Sequence, residues 1–287
     1  MKHLHSENSK IVRRYFFKDT LEESRKDHFR TILSQSKSDL KMTGIEVIDF
    51  VGVDKSQLSH VREMLDSLSL KSVDKHLRDN VVEVVLSDYI RLLDVKKVFD
   101  DNENTDFVCY VDSDIIPYDI ESVFGQEVFD KDSKSIYMNA SIRLGRTRNN
   151  EFVRGNPKGC SAMMVFTRTS IKNYLDSVEY FLYGKSLNNP LLKQKLDHYK
   201  KRTVGSDNLQ WFLLGINLIQ HLTSFGHLDV EIIPNSKIVT SGKWFEKLNR
   251  SKKTVSLDTL YDKLSRSSHP VFGLNTGFSN FNSIELK

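Results

Sequence analysis

Three acids and one arginine combine residue types and spacings that could do chemistry. Asp112 and Asp114 flank Ser113 within "DFVCYVDSDIIPYD", and Asp88 and Arg91 lie three apart in the upstream "LSDYIRL". Two oxygen donors one residue apart, where an apolar run ends, can hold Mg²⁺ or Mn²⁺, ions that accept carboxylate, water and phosphate oxygens. The same pair can also be an ordinary strand ending or half of an acid/base pair. In an extended strand side chains alternate, so Asp112 and Asp114 are expected on one side and Ser113 on the other. Both acids exposed together make a negative field that calls for a cation, and a cation there calls for an anionic ligand such as a diphosphate. Asp88 and Arg91 share a helical face, which lets them address one ligand or form an intrahelical ion pair.

These side chains need elements to hold them. "FVCYV" at 107–111 is apolar without alternation, as in a strand buried on both faces of a parallel sheet. Asp112 then lies at the carboxyl end of a strand, where open parallel sheets gather their ligands. Upstream, "IVRRYFFKD" reads as a strand, "LEESRKDHFRTILSQS" as a helix, "GIEVIDFVGVD" as a strand and "QLSHVREMLDSLSL" as a helix. "DNVVEVVLSDYIRLLDVKKVFD" is taken as a helix because it is longer than a usual strand. Downstream, "SIYMNASIRL" and "GCSAMMVFTR" are strand-like, and Thr169 or Ser170 is placed to cap the helix "SIKNYLDSVEYFLYG". "NNPLLKQKLDHYKKRTV" reads as a charged surface segment and "SDNLQWFLLGINLIQHL" as an amphipathic helix. "DVEIIP" reads as a strand ended by Pro234, and the last forty or so residues as an irregular tail. Alternating strands and helices predict an α/β protein with a mostly parallel central sheet flanked by helices and an irregular C-terminal segment.

The chain has 287 residues, 39% hydrophobic and 28% charged, which suits one sizeable core and excludes bulk disorder. One domain over 11–287 is expected, with a nucleotide-binding half over about 11–120 and an acceptor half with a lid over about 121–287, after a flexible stretch at 1–10. The start carries no apolar signal segment, and no run approaches a membrane span, so a cytoplasmic protein is expected. Cys109 and Cys160, both in apolar surroundings, read as reduced thiols. A net charge of +4 is too mild to mark a nucleic-acid binder but tolerates a phosphate-bearing ligand. Arg143, Arg146, Arg148, Arg154 and Lys158 make a basic stretch suited to phosphate from a donor or a charged acceptor.

Together, "LSDYIRL" and "FVCYVDSDIIP" resemble the nucleotide-sugar-dependent glycosyltransferases of the GT-A fold, with their Asp-x-Asp motif. "SDYIR" is similar to the Ser-Asp-x-x-Arg element of retaining members, such as the glucosyltransferase domains of large clostridial toxins and their relatives in capsule and outer-chain sugar synthesis. "NTDFVCYVD" departs from the "GGIYLD" lead of the toxin-like group. The resemblance implies Mn²⁺ or Mg²⁺, a nucleoside diphosphate sugar donor such as a UDP-sugar, and an acceptor that is a glycan, a protein or a modified nucleic acid. It implies that Asp88 and Arg91 face the donor, that Asp112 contacts ribose and helps hold the metal, and that Asp114 coordinates the ion directly. Ser113 is grouped with the donor-contacting residues.

Asp207, in the first turn of "SDNLQWFLL", is a candidate to orient an acceptor hydroxyl or to stabilise positive character at the sugar carbon. "HPVFG" is similar to the C-terminal segment that supplies a metal-ligating histidine in related folds, which makes His269 a candidate ligand. Lys243 and Trp244 could cover the diphosphate as a lid, although Trp244 could equally anchor a core. Two other classes stay open: a non-catalytic protein binding a sugar nucleotide or polyanion, and a metal-dependent nucleotidyltransferase. The second lacks an early glycine-rich phosphate loop.

Overall fold

Seven residues from Ser9 to Tyr15 and five from Phe107 to Val111 form the two strands around which the rest assembles; the second is wholly buried and apolar, and the first buries Ile11 and Val12 together with Ser9 and Arg13. The computed structural model describes residues 2–4, 8–15, 17, 21–52, 59, 63, 75–121, 128–144, 152–154, 159–183, 187–204, 216–240, 242–268, 271–276 and 283–285. In chain order the elements are β1 (Lys2–His3), β2 (Ser9–Tyr15), α1 (Glu23–Lys41), β3 (Glu46–Val51), α2 (Lys75–Asp101), β4 (Phe107–Val111) and β5 (Ile115–Pro117). There follow β6 (Val128–Phe129), β7 (Ser135–Leu144), β8 (Phe152–Arg154), β9 (Cys160–Phe166), α3 (Arg168–Tyr183), α4 (Pro190–Val204) and α5 (Ile216–Ser224). The chain closes with β10 (Asp229–Thr240), α6 (Gly242–Arg250), β11 (Val255–Ser256), α7 (Leu257–Ser265), β12 (Val271–Asn275) and β13 (Ile284–Glu285).

Among the described residues the main sheet runs β3-β2-β4-β9-β7-β10-β12-β5, with β8 paired to β7. β3, β2 and β4 are mutually parallel, β9 is antiparallel to β4 and to β7, and β10 and β12 are parallel to β7. β5 returns antiparallel on β12. The sheet is therefore mixed, and the carboxyl ends of β2, β4, β7, β10 and β12 share one edge. β7 and β10 are long because they serve two neighbourhoods. β7 pairs with β9 up to Asn139 and with β8 from Ile142, while β10 meets β12 only from Lys237 onward. Register shifts fall at both changes of neighbour.

Apolar side chains cover both faces. Val108 and Tyr110 of β4, with Val12, Met138, Met164 and Phe166, pack against α2, α3, α4 and α5. Cys109 and Val111 face the other way, among Ile11, Val47, Tyr137, Met163, Val165 and Leu40 of α1. Phe29, Ile32 and Leu33 of α1 join Trp244, Phe245, Leu260 and Leu264 of α6 and α7 in a third cluster. The arginines in "IVRRY" go to opposite faces, as strand alternation requires. Arg13, 1% exposed, bonds Asp49 of β3 (Nε to Oδ1, 2.9 Å) and Ser36 of α1 (3.1 Å). Arg14 pairs with Asp94 of α2 (Nη2 to Oδ1, 2.7 Å) and donates to the carbonyl of Gly52.

The expected α/β class holds, with several corrections of detail. Leu4 is fully buried and β1 pairs with β6, so residues 2–4 belong to the folded body instead of a flexible stretch. β10 continues through Pro234, because the register shift between Ile233 and Lys237 accommodates a residue with no N–H to give. The "charged surface segment" is helix α4: Asn189 Oδ1 accepts from Leu192 N (3.1 Å), and Leu192 and Leu196 are buried. The cap of α3 is Thr167, ahead of Thr169 and Ser170, and it shares two bonds with Ser170: Ser170 N to Thr167 Oγ1 and Thr167 N to Ser170 Oγ, both 3.0 Å. The tail read as irregular holds α6, α7 and β12, with β12 lodged between β10 and β5. Of the helix expected over 57–70, only Ser59 and Glu63 are described, both helical, and the first half of the helix expected from Ser206 lies outside the described residues. No described helix is long and apolar enough to cross a membrane.

Candidate active site

β4 ends at Val111, and the next residues close a turn in which Ile115 N donates to Asp112 O (3.0 Å). Neither acid therefore sits on an extended strand as expected; the turn brings them together instead. It is anchored at each residue. Asp112 N donates to Ala162 O of β9 (2.8 Å), and Ser113 Oγ donates to Arg14 O of β2 (2.9 Å). Thr276, just past β12, donates to Asp114 O through both N (3.2 Å) and Oγ1 (2.9 Å). Ser36 of α1 caps the end of the turn by donating to Ile115 O (2.9 Å). Ser113 is 3% exposed with its hydroxyl engaged by Arg14 O, so it pins the turn to β2 rather than facing a donor.

Asp112 keeps the parity of Val108 and Tyr110 and meets α2. Arg91 lies there, 5% exposed, with Nη2 2.6 Å from Asp88 Oδ1 and Nη1 3.7 Å from Asp112 Oδ1. Its guanidinium also stands 5.5 Å over the Tyr110 ring. Among the described residues the structure thus sets Asp88 and Asp112 against Arg91, with Asp114 near enough to Asp112 for its charge to act on it.

Burial and then the charge of Asp114 push the Asp112 carboxyl well above the usual carboxylate range, with Arg91 pulling against them, although the Asp112 side chain keeps 28% exposure. Burial likewise raises Asp88 despite its bond to Arg91. Burial also raises the Tyr110 hydroxyl, with Asp112 and Asp114 adding to it. The same two acids act on the Cys160 thiol at the start of β9, which burial raises to about 11. Among the described residues no group of three or more His, Cys, Asp or Glu side chains could hold a metal ion by itself. Two carboxylates fit the share a protein gives to Mg²⁺-type ions, which keep waters and take substrate phosphate oxygens for the rest.

Other expected residues are more scattered. Thr240, at the end of β10, is in register with Arg143 of β7 and Asn275 of β12, and Asn275 with Ile115 of β5. This row places exposed Arg143 roughly 14 Å from the acid turn, at about 4.8 Å per strand. Lys243 follows in the first turn of α6, at the same edge. Trp244 is 8% exposed, stacked edge-on to Phe245 (5.1 Å) with the Lys263 ammonium 5.4 Å over its ring. It anchors the cluster between α6 and α7, so the lid reading fails for this residue. Asp207 and His269, with Arg146, Arg148 and Lys158, lie outside the described residues. Tyr110, Cys160 and Thr276 were not foreseen. Tyr110 was findable, since it stands two residues before Asp112 on the same strand. Nothing local marks Thr276, 162 residues from its partner.

No protein-family model matches the chain, and neither does any curated protein. Among solved structures, a glycosyltransferase involved in the glycosylation of the major capsid of PBCV-1 aligns over 96% of this chain and 97% of its own, with a TM-score of 0.40 and 8% identity. A likeness at that level carries no weight for chemistry, which rests on the cluster itself.

Proposed function

We propose that the protein is a divalent-metal-dependent glycosyltransferase that moves a sugar from a nucleoside diphosphate donor to a glycan, protein or modified nucleic-acid acceptor. The observation that supports it most is the acid turn at the carboxyl end of a buried central strand, where Asp114 lies near Asp112 and Asp112 shares Arg91 with Asp88. Asp112 and Asp114 hold Mn²⁺ or Mg²⁺ in this reading. The bound ion supplies Lewis-acid stabilisation of charge developing on the leaving diphosphate. Arg91 fixes the orientation of Asp112 and offsets part of its charge, and Asp88 in turn fixes Arg91. Arg143, at the same edge of the sheet, brings positive charge toward a phosphate-bearing ligand, and Lys243, in the first turn of α6, is a candidate for the same part. The resemblance of "SDYIR" to the retaining branch supports transfer with retention. It also supports Asp207 as the carboxylate beside the acceptor and His269 as a further ligand.

The test is to incubate the purified protein with Mn²⁺, a panel of nucleotide sugars and candidate acceptors, and to measure released nucleoside diphosphate. Release that needs the metal supports the transferase. Donor binding without turnover under every condition would leave a sugar-nucleotide-binding protein, and release of pyrophosphate from a nucleoside triphosphate would point to nucleotidyl transfer.

A further inference from the structure

The second acid of the pair is held from the far end of the chain. Asp114 O accepts both donors of Thr276, the N–H at 3.2 Å and the hydroxyl at 2.9 Å, and Thr276 is 2% exposed. These bonds depend on β12 lying tight against β5, where Gly273 faces Pro117, Leu274 faces Ile116 and Asn275 faces Ile115. The approach is close enough that a Cβ on Gly273 would come within 2.7 Å of the Ile116 carbonyl oxygen. Val271, Phe272 and Leu274 are buried, so the strand cannot shift without exposing apolar surface. Asp112, by contrast, is fixed from β9 and α2. The two carboxylates are thus set by separate parts of the fold, and their spacing depends on the β5–β12 seam.

We propose that Thr276 is a positioning residue for Asp114, and that its hydroxyl sets the separation of the two carboxylates and hence the affinity of the turn for a divalent cation. The proposal rests on the metal-binding reading above. Two donors on one carbonyl restrict the peptide of Asp114 to one orientation, and a mispositioned ligand costs affinity even when every carboxylate remains. Thr276→Val keeps the shape and the N–H but removes the hydroxyl, and Thr276→Ser restores the hydroxyl.

The experiment titrates Mn²⁺, alone and with UDP, into the wild type and both variants and follows the free-ion electron paramagnetic resonance signal, with far-UV circular dichroism recorded alongside. Thr276→Val should weaken Mn²⁺ binding about threefold to tenfold, the range expected for one neutral hydrogen bond, with an unchanged circular dichroism spectrum. Thr276→Ser should bind as the wild type does. Wild-type affinity in Thr276→Val, or equal weakening in both variants, overturns the positioning role while leaving the metal reading intact. A wild type that binds no Mn²⁺ with or without UDP overturns the metal reading, and this proposal with it.

Discussion

Replacing Arg91 with methionine tests the electrostatic logic of the cluster, because it keeps an unbranched stem and deletes the charge. Arg91 is 5% exposed and is 2.6 Å from Asp88 and 3.7 Å from Asp112. Removing one partner of a buried ion pair costs about 3–5 kcal/mol, because the remaining charge is left without compensation. The Asp112 side chain is 28% exposed and partly solvated, which places the expected loss near the lower bound, at about 3 kcal/mol once pH is high enough to ionise both carboxyls. The loss should depend on pH in a defined direction. Asp88 and Asp112 already titrate above their unfolded values, and losing Arg91 raises them further. A carboxyl whose folded pKa exceeds its unfolded value makes the folded state bind more protons, so stability is greatest at low pH and falls as pH rises through the folded pKa. Urea denaturation of wild type and Arg91→Met at about pH 6 and about pH 9, on either side of the value of about 8 to which the Asp112 carboxyl is raised, should therefore show the larger deficit at the higher pH. A deficit under about 1 kcal/mol at about pH 9, or one that does not change between the two pH values, would refute the account of the cluster.

Two further substitutions test the elements that carry the site. Thr167→Ala removes half of the reciprocal cap of α3, which packs on α2 beneath the cluster, and should cost about 1 kcal/mol in chemical denaturation with no change in metal affinity. Gly273→Ala places a methyl group against the backbone of β5 and should cost about 1–3 kcal/mol by overpacking. If thermal denaturation leaves Gly273→Ala as stable as the wild type, the seam is looser than its geometry implies.

Much of the scaffold was legible because its signals are local. "FVCYV" lacks alternation since both of its faces are covered, and that pattern predicted β4 residue for residue. The length of "DNVVEVVLSDYIRLLDVKKVFD" predicted α2, and with it the placing of Asp88 and Arg91 on one face. Where the reading went astray, a tertiary contact had overruled a local cue. Pro234 normally ends a strand, but a bulge at a change of neighbours absorbs it. The charged composition of α4 hid Leu192 and Leu196, which are apolar enough to seat the helix. Trp244 in a lysine-rich segment resembles a lid residue, and only its packing against Phe245 and Lys263 shows an anchor. At the acid pair the geometry differs from the expected one: a turn pinned by Arg14, Ala162 and Thr276 replaces the pleat. Those pins come from residues distant in the chain, and no periodicity reports them.

The central claim is that the 112–114 turn holds a divalent cation for a diphosphate ligand. Its most direct test is calorimetric titration of UDP into the wild type and Asp114→Asn, each with Mn²⁺ and with chelator. The wild type should bind UDP at least tenfold more tightly with Mn²⁺ than without, and Asp114→Asn should lose that difference while keeping the wild-type circular dichroism spectrum. UDP binding that ignores the metal in the wild type, or an Asp114→Asn variant that retains the full Mn²⁺ effect, would contradict it.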